Sequence, residues 1–182
     1  GGLEYETAYA FGPMCGVDDI DALTFAGFMT NEHGYDPISF GVTLAAAMEL
    51  YELGVLTKDN TDGVELKFGN AEALTIMAEK TGKQEGFGKV LGLGSKRMCE
   101  KYGHPELFMG VKKQGMPAWH PQGIEVIGLQ YATSNVGACH TKATLPMYEG
   151  RRDPAHHVEW TKQDQDYLAV VDSGVLCWII YH

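Results

Sequence analysis

Apolar residues recur along this chain at helical spacing more often than they alternate, and most recurring segments carry their own start and stop signals. Asp18 or Asp19 can cap a helix over Val17 to His33, with Ile20, Leu23 and Phe28 on its apolar face. Gly34 supplies the left-handed residue that ends it. Asp36-Pro37 opens the next helix, because Asp caps free amides and Pro suits the first helical position; it runs through Val42, Leu44, Ala45, Met48 and Tyr51 to Gly54. Asn70 caps Ala71 to Lys80, where Leu74, Met77 and Ala78 fall on one face. Another helix starts at Phe87 to Lys89 and continues through Leu91, Met98 and Tyr102 to Gly103, and one more spans Ile124 to Ala132. Thr161 caps a last helix carrying Tyr167, Leu168, Val170 and Val171 toward Cys177. Only Leu3 to Phe11, ending in Gly12-Pro13, reads as a short strand or extended loop. The predicted fold is mainly α.

Periodicity fades after His104-Pro105, and Val111 to Gly123 contains two prolines. The seam between two packed helical subdomains is expected near residues 104 to 123, giving domains 1–110 and 111–182. Gly86-Phe87-Gly88-Lys89-Val90-Leu91-Gly92 is near a dinucleotide fingerprint, but is one residue too long and follows no strand. Its glycines instead suit close approach of helices or of a bulky ligand. Asp59 to Gly63 is a poor calcium loop, since Asn70 stands where the closing acid belongs.

Composition narrows the partners. With 182 residues, 45% of them hydrophobic, the chain can bury one sizeable core or two small ones. Fourteen basic against 24 acidic residues leave a net charge of -10, which repels nucleic acid and anionic membrane surfaces. No run approaches the roughly 18 apolar residues of a membrane span, and no segment resembles a signal peptide, so the expected location is cytoplasmic. Opening without Met and stopping at Tyr181-His182, the sequence reads as an interior piece of something longer.

The four cysteines, Cys15, Cys99, Cys139 and Cys177, are widely spaced and form no CxxC pair, so each defaults to a small buried hydrophobe. Cys177 stands out, because it follows an apolar run and the turn-prone Asp172-Ser173-Gly174, five residues after the Asp. Asn31 to Asp36 repeats that spacing. His140 follows a run of small residues that leaves room for a large group, although a structural histidine is the commoner outcome. His156 and His157, after the polar Arg151-Arg152-Asp153-Pro154, read as surface residues. In an extended Leu3–Phe11 segment Glu4 and Glu6 would share a face, with Tyr5 on the other; a solvated edge strand has the same pattern. A carboxylate among apolar neighbours could serve as a general base.

Six stretches occur in an order and spacing that resemble the tungsten-containing aldehyde ferredoxin oxidoreductases: Glu4-Tyr5-Glu6-Thr7, Cys15 to Asp19, Gly34 to Ser39, Tyr131 to Ser134, Gly137 to His140, and Val171 to Cys177. The resemblance spans Glu4 to Cys177. It implies a mainly α fold corresponding to that family's second and third domains, without its N-terminal β domain. It also implies a tungsten (or molybdenum) bis-pterin and a 4Fe-4S cluster.

On individual residues, the resemblance makes Glu6 and His140 active-site residues. Glu6 would activate water, His140 would donate to the aldehyde oxygen, and Tyr5 is a second donor. Asn31, Gly34 and Asp36 fall on the first pterin turn, with Asn31 where the family usually has Asp. Asp172 and Val175 fall on the second, with Val175 where Gly is usual, and Cys177 falls on the fourth cluster ligand. Asp36 and Asp172 are expected to meet around the metal. The implied partners are a small aldehyde, ferredoxin as electron acceptor and the remaining domains of a parent chain, and a homo-oligomer is compatible with all of these.

The family's compact group of three further cluster cysteines has no counterpart here, so this piece alone is expected to be inert. Two alternatives stand beside aldehyde oxidation. One is a tungsten reductase of aromatic thioesters, with Cys15 near the metal. The other is a helical module that has lost its cofactor, favoured by Asn31, by Val175 and by Gln122 at a position where Arg is expected.

Overall fold

A computed structural model describes residues 2–142 and 154–177, which divide into two compact units between Met109 and Gly110. In the first unit the opening segment is α1, Tyr5–Phe11, not a strand or extended loop. Glu4 accepts a hydrogen bond from the Thr7 N–H at 3.1 Å and so caps the helix. The buried positions Glu6, Thr7, Ala10 and Phe11 follow helical spacing, which short segments with one charged residue per turn conceal. Glu4 and Glu6 therefore do not share a face: Glu4 is an exposed cap, and Glu6 is buried.

The next helices start and stop where their caps predict. Asp19 caps α2, Ile20–His33, and Gly34 ends it at φ 69°. Its core-facing stripe is Ala22, Leu23, Ala26, Gly27 and Thr30, whereas Ile20 and Phe28 are exposed, contrary to the expected face. Small residues form the stripe because α1 comes close; a Cβ on Gly27 would stand 3.3 Å from Thr7 Cγ2. Asp36 caps α3, Pro37–Glu52, through the Ser39 N–H at 2.7 Å. A close helix crossing lies here: a Cβ on Gly41 would stand 2.6 Å from the Ala10 carbonyl oxygen. Asn70 caps α4, Ala71–Lys83.

The helix expected from Phe87 to Gly103 is two, α5 (Gly88–Leu91) and α6 (Ser95–Lys101), because Gly92 to Gly94 interrupts it and Gly94 sits at φ 81°. Gly88 lies against the α4 backbone at Lys80, the close helix approach the glycines suggested. Asp62, in the segment that resembled a calcium loop, accepts from the Phe87 N–H at 2.7 Å and pairs with Lys80 at 2.9 Å. These bonds, the backbone one first, hold its carboxyl below the usual range. One core joins all these helices, with Phe11, Leu44, Met48, Leu74, Met77 and Met98 fully enclosed. Each such side chain contributes roughly 1.5–3 kcal/mol of burial.

The second unit begins with a hairpin of β1 (Gly110–Val111) and β2 (Gln114–Gly115), paired Gly110 to Gly115 and Val111 to Gln114. Lys112 and Lys113 both take positive φ, the condition for a two-residue turn that matches strand twist. Helix α7, Glu125–Thr133, contributes Ile127 and Tyr131 to a small core with Ala138, and the Tyr131 hydroxyl donates to the Trp119 carbonyl at 2.8 Å. The last described helix, α8, spans His157–Ser173, so Thr161 lies inside it and is buried rather than capping it. Helices α7 and α8 pack together, and both touch the 3₁₀ turn His140–Lys142. The polar stretch Arg151 to Asp153 lies outside the described residues, while His156 is exposed and His157 half-buried beside Trp160.

Among the described residues the only strands are the two of the hairpin, and no helix is long and apolar enough to cross a membrane.

Candidate functional site

Two six-residue segments end helices in the same way. At the end of α2, the Gly34 N–H donates to the Asn31 carbonyl and the Tyr35 N–H to the Thr30 carbonyl. At the end of α8, the Val175 N–H donates to the Asp172 carbonyl at 3.0 Å and the Leu176 N–H to the Val171 carbonyl at 3.1 Å. Each has its left-handed residue at the fourth place, Gly34 at φ 69° and Val175 at φ 54°, while Gly174 keeps a right-handed φ of -81°. A left-handed β-branched residue is unfavourable by about 1–2 kcal/mol. The backbone thus takes at Val175 the conformation glycine would adopt freely.

Around the first segment the side chains divide. Asn31 is exposed and lines a groove of about 400 Å³ with Leu3, Glu4, Thr7, Phe28 and Pro37. Asp36 lines another of about 290 Å³ with His33, Ser39, Gly82 and Gly92, so the glycine-rich stretch does border open space. Tyr5 is exposed, and Glu6 is buried on the inner side of α1. Burial first, then the charges of Glu6 and Tyr5, push the Tyr9 phenol upward.

Cys15 is a core thiol. It is fully buried, donates to the Ala10 carbonyl at 3.3 Å and to the Gly41 carbonyl at 3.7 Å, and burial pushes it up to about 12. That environment favours the packing role and leaves no thiolate at neutral pH.

In the second unit Asp172 is exposed near the end of α8 and pairs with Lys142. Both line a groove of about 430 Å³ with Thr133, Ser134, Gln165 and Ser173. His140 is half-buried on the same 3₁₀ turn as Lys142, whose N–H donates to the Cys139 carbonyl at 3.3 Å. Cys177 is exposed and forms no disulfide. His140, Asp172 and Cys177 therefore belong to one unit, and Glu6, Tyr5, Asn31, Gly34, Asp36 and Cys15 to the other.

Two contributors escaped the sequence reading. Tyr35, inside the first segment, donates its hydroxyl to the Ala78 carbonyl at 2.7 Å, and burial pushes its phenol well above the usual value. It anchors the turn to α4 and stands edge-on to Phe40 at 5.5 Å. Lys142 is the other. Its position two residues after His140 was a signal, but its partner lies thirty residues away in sequence.

The residues present suit a pterin more readily than a bare metal ion. Two helix ends of one geometry carry polar Asn31 and Asp172 at groove rims. Among the described residues no group of three or more His, Cys, Asp or Glu is placed to hold a metal.

Comparison with known proteins gives the family. The family model "Aldehyde ferredoxin oxidoreductase, domains 2 & 3" matches residues 1–181. The tungsten-containing aldehyde ferredoxin oxidoreductase of Pyrococcus furiosus is 43% identical over 187 residues, and that of Pyrococcus horikoshii 41% over 189; each match covers 97% of this chain and 31% of the relative. A "WOR-like subunit" of an aliphatic sulfonate oxidoreductase from Pyrococcus furiosus is 32% identical over 156 residues, covering 79% of this chain and 24% of that protein. The chain thus spans about a third of the length of its first two relatives.

Proposed function

Since this chain belongs to the aldehyde ferredoxin oxidoreductase family, we propose that it forms the helical part of a tungstopterin oxidoreductase that oxidises aldehydes to carboxylic acids. The observation that carries the reading is the repeated turn, above all the left-handed conformation held at Val175 despite its branched side chain.

The reaction is RCHO + H₂O → RCOOH + 2 H⁺ + 2 e⁻, for which ferredoxin would be the electron acceptor. When bound, the tungsten pterin supplies the two-electron redox chemistry. Asn31 and Gly34, with Asp36 closing the turn, would seat one pterin, and Asp172 and Val175 would seat the other. Cys177 contributes one cluster thiolate; such clusters need four, so three come from elsewhere in a longer protein. Glu6 takes a proton from water, and its burial keeps competing solvent away. His140 donates to the aldehyde oxygen as negative charge develops there, with Tyr5 as second donor. The burial of Cys15 supports leaving it out of the reaction, which weakens the thioester alternative.

The test is aldehyde-dependent reduction of ferredoxin by the full-length protein purified without oxygen. Glu6→Gln and His140→Gln are each expected to lower kcat by about 10²–10⁴-fold with tungsten content retained. Wild-type rates in both variants would refute the assigned roles.

A further inference from the structure

A two-residue hairpin turn needs positive φ at both places and is built most freely by Asn-Gly or Asp-Gly. The β1–β2 turn instead holds Lys112 at φ 50° and Lys113 at φ 76°, two L side chains in the left-handed region. What Lys112 supplies there is reach. Its ammonium donates to the Ser134 carbonyl at 2.6 Å, 22 residues further along, at the C-terminal end of α7 where the last carbonyls carry partial negative charge. The backbone behind it closes on the same loop, because a Cβ on Gly137 would collide with the Val111 carbonyl oxygen. From these two grips the loop runs to His140 through its own hydrogen bonds. The Gly137 N–H donates to the Ser134 carbonyl at 3.3 Å, and the Cys139 N–H to the Gly137 carbonyl at 2.8 Å.

We propose that Lys112 is a positioning residue: the hairpin tip, drawn onto Ser134 and Gly137, sets the loop that presents His140. The task of His140 rests on the aldehyde-oxidation reading; the tie between hairpin and loop does not. Asn-Gly would form the turn without strain, but an Asn side chain is too short to take over the reach of the Lys112 ammonium. Backbone strain of this kind persists where the surrounding structure holds it in place for a purpose. Lys112 is exposed, so its bond contributes little to folding, and a marked effect of removing it must come through the loop. Lys113 is exposed as well and makes no hydrogen bond or ion pair among the described residues, which makes it the control.

The experiment compares wild type with Lys112→Asn, Lys112→Arg and Lys113→Gly in the full-length protein. It measures aldehyde-dependent ferredoxin reduction, tungsten per chain, the thermal midpoint and, by mass spectrometry, the rate at which diethyl pyrocarbonate modifies His140. Lys112→Asn is expected to keep its tungsten, thermal midpoint and KM and to lose kcat by about 10–100-fold, with Lys112→Arg restoring most of it and Lys113→Gly unchanged. Wild-type kcat in Lys112→Asn, a kcat lost only together with tungsten or thermal midpoint, no rescue by Lys112→Arg, or an equal loss in Lys113→Gly would overturn the proposal. If wild type itself oxidises no aldehyde, that reading fails and the His140 modification rate decides. A rate raised at least about threefold in Lys112→Asn and returned by Lys112→Arg supports the tie, and an unchanged rate refutes it.

Discussion

The two helix-ending turns share a hydrogen-bond frame and differ at each place where a side chain enters it. In the first, the left-handed place holds glycine, the first place holds uncharged Asn31, and the sixth holds Asp36, which caps the following helix. In the second, the left-handed place holds strained Val175, the first holds charged Asp172 with Lys142 beside it, and the sixth holds an exposed thiol. The first turn is thus stabilised by its own structural logic. The second carries strain at Val175 and a charge among the last-turn carbonyls that Lys142 offsets. A feature that folding does not require is the better evidence of a site.

The largest expected contrast is between thiols. In metal-free protein Cys177 should alkylate at the rate of an exposed cysteine, whereas Cys15, pushed up to about 12, should react roughly a thousandfold more slowly and only fully after denaturation. Mass spectrometry of labelled peptides measures both, and comparable rates would break the division between core thiol and ligand thiol.

Exchanging the left-handed residues comes next. Gly34→Val should destabilise by about 1–2 kcal/mol in urea unfolding, and the cost is conformational, since nothing lies within 4 Å of a Cβ there. Val175→Gly should be neutral or stabilising by up to about 1 kcal/mol, strain relief being partly offset by glycine's greater chain entropy. Loss of stability in Val175→Gly would show that the second turn is held by packing.

At the sixth places, Asp36→Ala should cost about 1 kcal/mol through loss of the cap, whereas Cys177→Ala should stay within about 0.5 kcal/mol. The smallest effect is expected of Asn31→Asp, which puts a charge at the C-terminal end of α2 and should destabilise the metal-free protein by about 0.3–1 kcal/mol. Low-salt unfolding curves check it, because the penalty should shrink as salt is added.

Local punctuation made α2, α3 and α4 legible in the sequence: Asp19, Asp36 and Asn70 cap the helices, and Gly34 and Gly54 take the left-handed conformation where helices end. The opening segment was misread because α1 has only seven residues, and its buried face includes a glutamate that no hydrophobic pattern would place inside. The outward turn of Ile20 and Phe28 was hidden for a related reason. Close helix packing selects Ala, Gly and Thr over larger side chains, so size misled where periodicity did not. Of the site, the turns were legible through their repeated spacing and the family resemblance. The Tyr35 anchor and the Lys142–Asp172 pair were not, since both join segments more than 25 residues apart.

Each of these turns is proposed to seat a pterin, and Cys177 to serve an iron–sulfur cluster. Metal analysis of the full-length protein, purified without oxygen, tests it most directly. About one tungsten and about four irons per chain are expected, with iron lowered in Cys177→Ala. Neither metal, despite adequate supply during expression, would contradict it and leave a helical module that has kept the family's packing without its chemistry.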